Sequence, residues 1–193
     1  MKIGFDFDDV LADTMEGWCD YWVHKYGYRI SKKDIKHWDL NKALETVPKF
    51  KFDIKDPFQP FKQPDFFLTL RPKDGIEAFN EYVHRDVYIV TACEYGHLQK
   101  REWLKQHVPE FNLDNLIFTK NKSMVKIDIL VDDKEENMDN NRKFNVLFDQ
   151  PWNKENDFYA RAYNLKDTIL LLDRIDDLID EVKDETYELS RDW

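Results

Sequence analysis

The sequence predicts an open, doubly wound α/β sheet of parallel strands, with a small helical cap inserted after the first strand. Three observations predict it. The apolar runs are short and continuous rather than alternating, as expected of strands buried on both faces. Helical three-four spacing fills several of the gaps between them. One long stretch rich in aromatics and prolines, 14–70, interrupts the alternation soon after the first run.

The elements follow in chain order. Residues 2–7 (KIGFDF) give the first strand, ending in acids. The stretch 14–70 starts as a helix, with Trp18, Tyr21, Trp22 and Tyr26 at helical spacing. Lysines and aromatics follow: Trp38, Phe50, Phe52, Phe58, Phe61, Phe66 and Phe67. Pro48, Pro57, Pro60 and Pro64 break any long helix there. In 74–84, Ile76, Phe79, Tyr82 and Val83 share a helical face, and 87–91 (VYIVT) reads as a strand ending at Thr91. In 95–108, Leu98, Trp103, Leu104 and Val108 suggest a helix. Three further strands are expected at 115–119, 128–132 and 145–148. A last helix over 166–183 carries Leu171, Ile175, Leu178, Ile179 and Val182 on one face, with acids outside. The expected organisation is a core of 1–13 and 71–193, with 14–70 as the inserted helical cap.

Composition narrows the function classes. The chain has 193 residues, 42% of them hydrophobic, which excludes a disordered or Gly/Pro-rich class. Its 29 basic and 39 acidic side chains give a net charge of −10. That argues against a nucleic-acid polymer or an anionic membrane as partner, since both need a basic surface. A small anionic substrate remains compatible, and so does a homodimer. Cys19 and Cys93 form no disulfide framework and have no metal-ligand spacing. The five histidines are scattered, without metal spacing. No signal-peptide apolar region and no spanning apolar segment is visible, so a cytoplasmic location is expected.

The polar residues at the strand ends carry the chemistry, because ligands of open α/β sheets sit at the carboxyl ends of the strands. The first strand ends in Asp6-Phe7-Asp8-Asp9, the second in Thr91, and a later one in Asp132-Asp133, with Lys120 and Lys122 between the last two. Three or four carboxylates converging on one edge repel one another unless a cation lies among them. A hard divalent ion with oxygen ligands, Mg²⁺, is the economical answer. A threonine hydroxyl and a lysine nearby suit the oxygens of a substrate phosphate.

The ordered set Asp6-Phe7-Asp8-Asp9-Val10-Leu11-Ala12-Asp13, Thr91, Lys122 and Asp132-Asp133 resembles the four motifs of the haloacid dehalogenase (HAD) superfamily. Within it, 64–79 (PDFFLTLRPKDGIEAF), 100–111 (KREWLKQHVPEF) and 117–134 (IFTKNKSMVKIDILVDDK) resemble the 5′(3′)-deoxyribonucleotidases. The resemblance implies a HAD-like Rossmannoid core and a Mg²⁺-dependent phosphomonoesterase of nucleoside 5′-monophosphates, including deoxyribonucleotides. It implies Asp6 as nucleophile and Asp8 as general acid and base. Thr91, the backbone at Ala92, and Lys122 would hold phosphate. Asp6, the Asp8 carbonyl, and Asp132 or Asp133 would hold the metal. Apart from the resemblance, the candidate pocket for the leaving group is Thr14 with Trp18, Phe66 and Phe67, whose faces can stack on a base or else pack the cap.

Three positions depart from the family pattern. Asp9 stands where Gly is usual, Ala92 replaces a small hydroxyl residue, and Thr14 replaces an aromatic. Arg71 and Lys100 could help neutralise substrate, although each is also an ordinary solvated charge. Two other functions share part of this pattern. A HAD phosphatase for another small metabolite, such as a sugar phosphate, would keep the chemistry and change the cap. A phospho-receiver module would need its acceptor Asp after the third strand, where Thr119-Lys120 stands instead.

Overall fold

The structure is a computed structural model and describes residues 1–27, 30–46 and 54–189. Six strands, β1 (Ile3–Phe5), β2 (Val87–Thr91), β3 (Leu116–Phe118), β4 (Ile129–Asp132), β5 (Phe144–Phe148) and β6 (Ala160–Ala162), form one sheet in the order β3-β2-β1-β4-β5-β6. Every pairing is parallel. Central β1 pairs Ile3 with both Val87 and Ile129, so its carboxyl end lies between those of β2 and β4. All four residues of β4 are buried, which is why its sequence is an unbroken apolar run up to Asp132. The α/β class and parallel sheet are those the sequence predicts. Edge strand β6 was not expected: Ala-Arg-Ala is short and only its last residue is buried, so no apolar run marks it.

Among the described residues five α-helices accompany the sheet: α1 (Thr14–Tyr26), α2 (Leu40–Thr46), α3 (Ile76–Tyr82), α4 (His97–His107) and α5 (Leu165–Leu189). Helix α3 packs on α5 and sets Phe79 edge-on to Phe5 of the central strand, 4.8 Å between ring centroids. Two face assignments are corrected. Leu98 is 75% exposed, because α4 instead buries Lys100, Trp103 and Leu104. Leu178 is exposed too, since the buried stripe of α5 runs through Leu165, Thr168, Leu172 and Ile175. Phe50, Phe52, Pro48 and the Val182 side chain lie outside the described residues.

The described residues between β1 and α3 fold as α1, α2 and single turns, held to the sheet by indole hydrogen bonds and ion pairs. Trp103 is fully buried against Phe7 and donates to the Leu70 carbonyl at 2.8 Å. Gly96 has φ +82°, and a Cβ there would lie 2.1 Å from the Phe67 ring. Glycine thus permits both the turn into α4 and the close approach of Phe67.

Asp9 is the one non-glycine residue with positive φ (58°) among the described residues. Its carboxylate explains why an L side chain is tolerated there. It accepts from the Met15 amide in the first turn of α1 (3.1 and 3.2 Å), where Asp13 makes no side-chain cap. It also accepts from Lys32 Nζ at 2.6 Å. Lys32 reaches Asp13 as well (2.9 Å), and Lys73 joins Asp13 at 2.5 Å. Burial opposes the Lys32 charge, but Asp9 and Asp13 outweigh it and raise its pKa. Burial likewise raises the Asp13 carboxyl, but Lys73 and Lys32 bring it below its ordinary value.

Lys32→Met would leave Asp9 and Asp13 to share Lys73. The side chains of Lys32 and Asp9 are 12% and 7% exposed, so the loss is that of a buried ion pair. We expect destabilisation by about 3 kcal/mol, read from urea unfolding at neutral pH. A change below about 0.5 kcal/mol would show that this network does not hold the segment.

Candidate active site

The carboxyl ends of β1, β2 and β4 bring together residues far apart in the chain. Asp6 continues the ladder past β1, its amide donating to the Val131 carbonyl at 2.9 Å. Its carboxylate accepts the Phe7 amide at 2.7 Å and lies 2.9 Å from Lys122 Nζ. Lys122 also donates to Asp132 Oδ2 at 2.6 Å, and its side chain is 2% exposed. It therefore bridges the first acid motif and the last. Carboxylate oxygens of Asp6, Asp132 and Asp133 lie within 4.8 Å of one another, all buried.

Electrostatics separates these acids. Burial pushes the Asp6 carboxyl up, but Lys122, Lys134 and Lys100 together outweigh it and hold it below its ordinary value. Burial raises the Asp132 carboxyl, with Asp6 adding to it and Lys122 opposing. Asp133 is raised well above the ordinary carboxylate range, by burial first and then by Asp132, Asp6 and Asp9, against Lys134.

Hydrogen bonding separates Asp132 from Asp133. Both oxygens of Asp132 are occupied: Oδ1 by the Lys134 amide (2.9 Å) and Asn137 (3.0 Å), Oδ2 by Lys122 and Asn137 (3.1 Å). Asp133 Oδ2 accepts the indole N–H of Trp152 at 2.9 Å, while its Oδ1 is buried without a partner. Among the described residues, the free oxygen of the acid pair is on Asp133.

Asp8 faces the other way. Its Oδ1 accepts the Thr14 hydroxyl at 2.9 Å, and its Oδ2 is bonded by Lys100 Nζ, with the Thr91 hydroxyl 3.4 Å away. Lys100 is 1% exposed and also donates to Thr91 Oγ (3.1 Å) and the Ala92 carbonyl (3.3 Å). Its ammonium sits 4.9 Å from the Phe7 ring centroid and 5.0 Å from that of Phe67. A cation boxed between two rings beside Asp8 is an aimed group rather than a solvated charge.

A cleft of about 290 Å³ opens over these groups. Its floor includes Asp8, Thr14, Ala92, Lys100 and Asp133; its walls include Trp38, Phe58, Phe61, Phe67, Tyr95 and Trp152. Of the residues expected to touch the leaving group, Thr14 and Phe67 line this cleft. Trp18 and Phe66 do not. Trp18 is fully buried, its N–H donating to the Pro57 carbonyl at 2.7 Å, and Phe66 lines a separate hollow with Arg71. Both are packing residues of the segment between β1 and α3. Arg71 is exposed and pairs with Asp20 at 3.3 Å. Lys120 is exposed at the cleft margin, 3.5 Å from Glu94.

Sequence reasoning missed Lys134, Trp38 and Trp152, and left Lys100 ambiguous. Lys134 follows the acid pair directly, and that adjacency could have flagged it. Trp152 lies in a Gln-Pro-Trp-Asn turn after β5, with no periodicity or motif to mark it.

The fold and this strand-end acid site define a HAD-like hydrolase. A haloacid dehalogenase-like protein from Agrobacterium tumefaciens has the same fold with a TM-score of 0.56 at 11% identity, over 90% of this chain and 97% of that one. A family IA HAD hydrolase from Entamoeba histolytica matches with a TM-score of 0.50 at 12% identity, over 86% and 93%. Sequence comparison is more specific. The family described as "5′ nucleotidase, deoxy (Pyrimidine), cytosolic type C protein" matches residues 1–175, and the chain belongs to it. The 5′(3′)-deoxyribonucleotidase of Clostridium acetobutylicum is 29% identical over 185 residues, covering 92% of this chain and 97% of that protein. The human cytosolic-type 5′(3′)-deoxyribonucleotidase is 29% identical over 150 residues, 70% of this chain and 71% of its own length.

Lys122→Met tests the bridge between the acid motifs. It would leave Asp6 and Asp132 buried without their shared counter-charge. We expect a loss of about 3–5 kcal/mol in urea unfolding. A near-neutral result would mean that the acids do not depend on this lysine.

Proposed function

We propose that the chain is a Mg²⁺-dependent phosphomonoesterase acting on nucleoside 5′-monophosphates, deoxyribonucleotides among them. The observation that carries it is the meeting of Asp6, Asp8, Thr91, Lys122 and the Asp132–Asp133 pair at one sheet edge, beneath an aromatic-walled cleft. The names of its relatives agree with this reading. The family's description as cytosolic supports a cytoplasmic location. Residues 14–70 act as the cap that roofs the cleft.

Asp6, kept ionised by its lysine neighbours, attacks phosphorus as the ester P–O bond breaks. Asp8 gives its proton to the departing alkoxide. A water then attacks phosphorus of the aspartyl phosphate while Asp8 takes its proton, freeing phosphate and the Asp6 carboxylate. Thr91, Lys100 and the backbone at Ala92 hold phosphate oxygens. With phosphate as a partner, Lys100 no longer needs Asp8, and Asp8 is freed for proton transfer. Thr14 keeps the Asp8 side chain aimed into the cleft.

The acids fit a hard divalent cation. The unpartnered Asp133 Oδ1 is a buried carboxylate oxygen in need of a positive partner, and Asp133 groups with Asp6 and Asp132 in an all-oxygen donor set. Asp6, Asp133 and the Asp8 carbonyl would hold the ion, with Asp132 serving instead to aim Lys122. Bound Mg²⁺ would neutralise the acids and the incoming phosphate.

The cleft volume, near the ~300 Å³ lower end of small-molecule sites, suits a mononucleotide rather than a polymer. Its aromatic walls favour a flat base, because ring burial adds stacking to apolar area. A sugar phosphate would call for hydroxyl-binding amides and acids.

Phosphate release from a panel of nucleoside monophosphates and hexose phosphates tests the reading. We expect kcat/KM for the best nucleotide to exceed that for any hexose phosphate by at least about tenfold, and EDTA to abolish turnover. Equal rates on the two classes would leave a phosphatase without the nucleotide specificity. Asp6→Asn keeps the shape of the side chain and removes the nucleophile. It should lower kcat by at least about a thousandfold in a folded protein. Phe67→Ala should erode the nucleotide preference, whereas Trp18→Ala should act through stability.

A further inference from the structure

The turn between β5 and β6 holds both sides of the acid site. Gln150 Nε2 donates to the Asp9 carbonyl at 2.7 Å. Asn153 Nδ2 donates to the carbonyls of Asp133 (2.9 Å) and Phe148 (2.8 Å). The turn is itself locked: Asn153 Oδ1 accepts from the Gln150 amide (3.1 Å) and from Arg161 (2.8 Å). Trp152 stands between these anchors, half-buried, with Lys32 Nζ 5.5 Å from the centroid of its ring.

The indole N–H of Trp152 donates to Asp133 Oδ2 and leaves Oδ1 bare. Asp133 differs in this from Asp132, whose two oxygens are both occupied. A carboxylate rotates easily about its last torsion. Holding one oxygen fixes the direction of the other. We propose that Trp152 is a positioning residue for the divalent-cation site: its N–H holds Oδ2 of the Asp133 carboxylate and so keeps Oδ1 free for the ion. The inference rests on the metal reading above. It assigns Trp152 a role distinct from that of a cleft wall, which its ring could fill without the N–H.

Metal titration calorimetry on EDTA-stripped, substrate-free protein, with Mg²⁺ and Mn²⁺ as probes, tests it. Trp152→Phe keeps a ring and loses the donor; Trp152→Gln loses the ring and keeps an N–H. Outer-sphere hydrogen bonds to metal ligands are worth about 10- to 100-fold in affinity. We expect Trp152→Phe to bind the ion at least about tenfold more weakly than wild type, with Trp152→Gln clearly tighter than Phe. The Mg²⁺ concentration for half-maximal phosphate release should rise in the same order. Thermal unfolding in EDTA establishes that each variant is folded, and Trp152→Leu replaces Phe as the donor-free variant if Phe is not. Unchanged affinity in the Phe variant overturns the proposal, as does Gln binding more weakly than Phe. A raised KM for nucleotide with unchanged metal affinity also overturns it, leaving Trp152 as a wall. Wild-type protein that binds neither ion overturns the metal reading and this inference with it. Wild-type binding with no loss in the Phe variant overturns this inference alone.

Discussion

Three buried carboxylates meet where β1 and β4 end, and most of the remaining architecture answers the repulsion among them. Parallel pairing forces the meeting: with Phe5 opposite Val131, Asp6 and Asp132 emerge side by side from adjacent strands. Desolvation makes each charge costly, and proximity makes each costlier. Lys122 is the internal answer. It is nearly inaccessible, reaches Asp6 and Asp132 together, and depends on that pair to remain charged in the protein interior. Its burial follows from a single turn just before β4, capped by the Asn121 side chain on the Ser123 amide at 3.2 Å. Asp133 is not satisfied in this way, and one of its oxygens remains without a partner. The site is therefore balanced on one side and open on the other.

A second balance sits one turn away, where the chain leaves the sheet for α1. The chain reverses at Asp9 with a left-handed backbone, a conformation glycine adopts at less cost. Asp9 gains what glycine cannot provide: a carboxylate that caps α1 and receives Lys32. Lys32 lies over Trp152, whose N–H holds Asp133. The seat of this segment and the open acid are thus two contacts apart. The departure from the usual residue at position 9 has a physical reason in the partners it recruits.

The sheet was legible in the sequence because parallel strands covered on both faces leave unbroken apolar runs, and β2, β4 and β5 lie within a residue of where those runs stand. Strand β6 was not, since a three-residue edge strand buries too little to leave a pattern. The gathering of Asp6, Asp8, Thr91 and the 132–133 pair was legible for a topological reason: strand ends of one parallel sheet share an edge. Partners that approach from loops and helices were harder to see. Lys100 looks like any helical lysine until α4 is docked with its 100, 103 and 104 positions inward. Aromatic content announced a roof but not which rings face the cleft. Trp18 and Phe66 belong to packing, whereas Trp38 and Trp152 reach the opening. Side-chain direction in irregular segments has no period to betray it.

The two remaining departures from the family pattern, Ala92 and Thr14, bear on the same group. Ala92 lacks a hydroxyl that could face the phosphate. Lys100 lies beside it, bonded to the Ala92 carbonyl, to Thr91 and to Asp8, and brings a full charge to the same part of the site. Lys100 occupies the Asp8 oxygen that the proposed proton transfer would use. In the proposed reaction phosphate would resolve the conflict, because a dianion competes for the ammonium more strongly than one carboxylate does. Thr14 would contribute at that moment: its hydroxyl already holds Asp8 Oδ1, and that bond would keep the carboxyl aimed if Lys100 turned to the phosphate. Positions 92 and 14 thus both adjoin Asp8, one through Lys100 and the other directly.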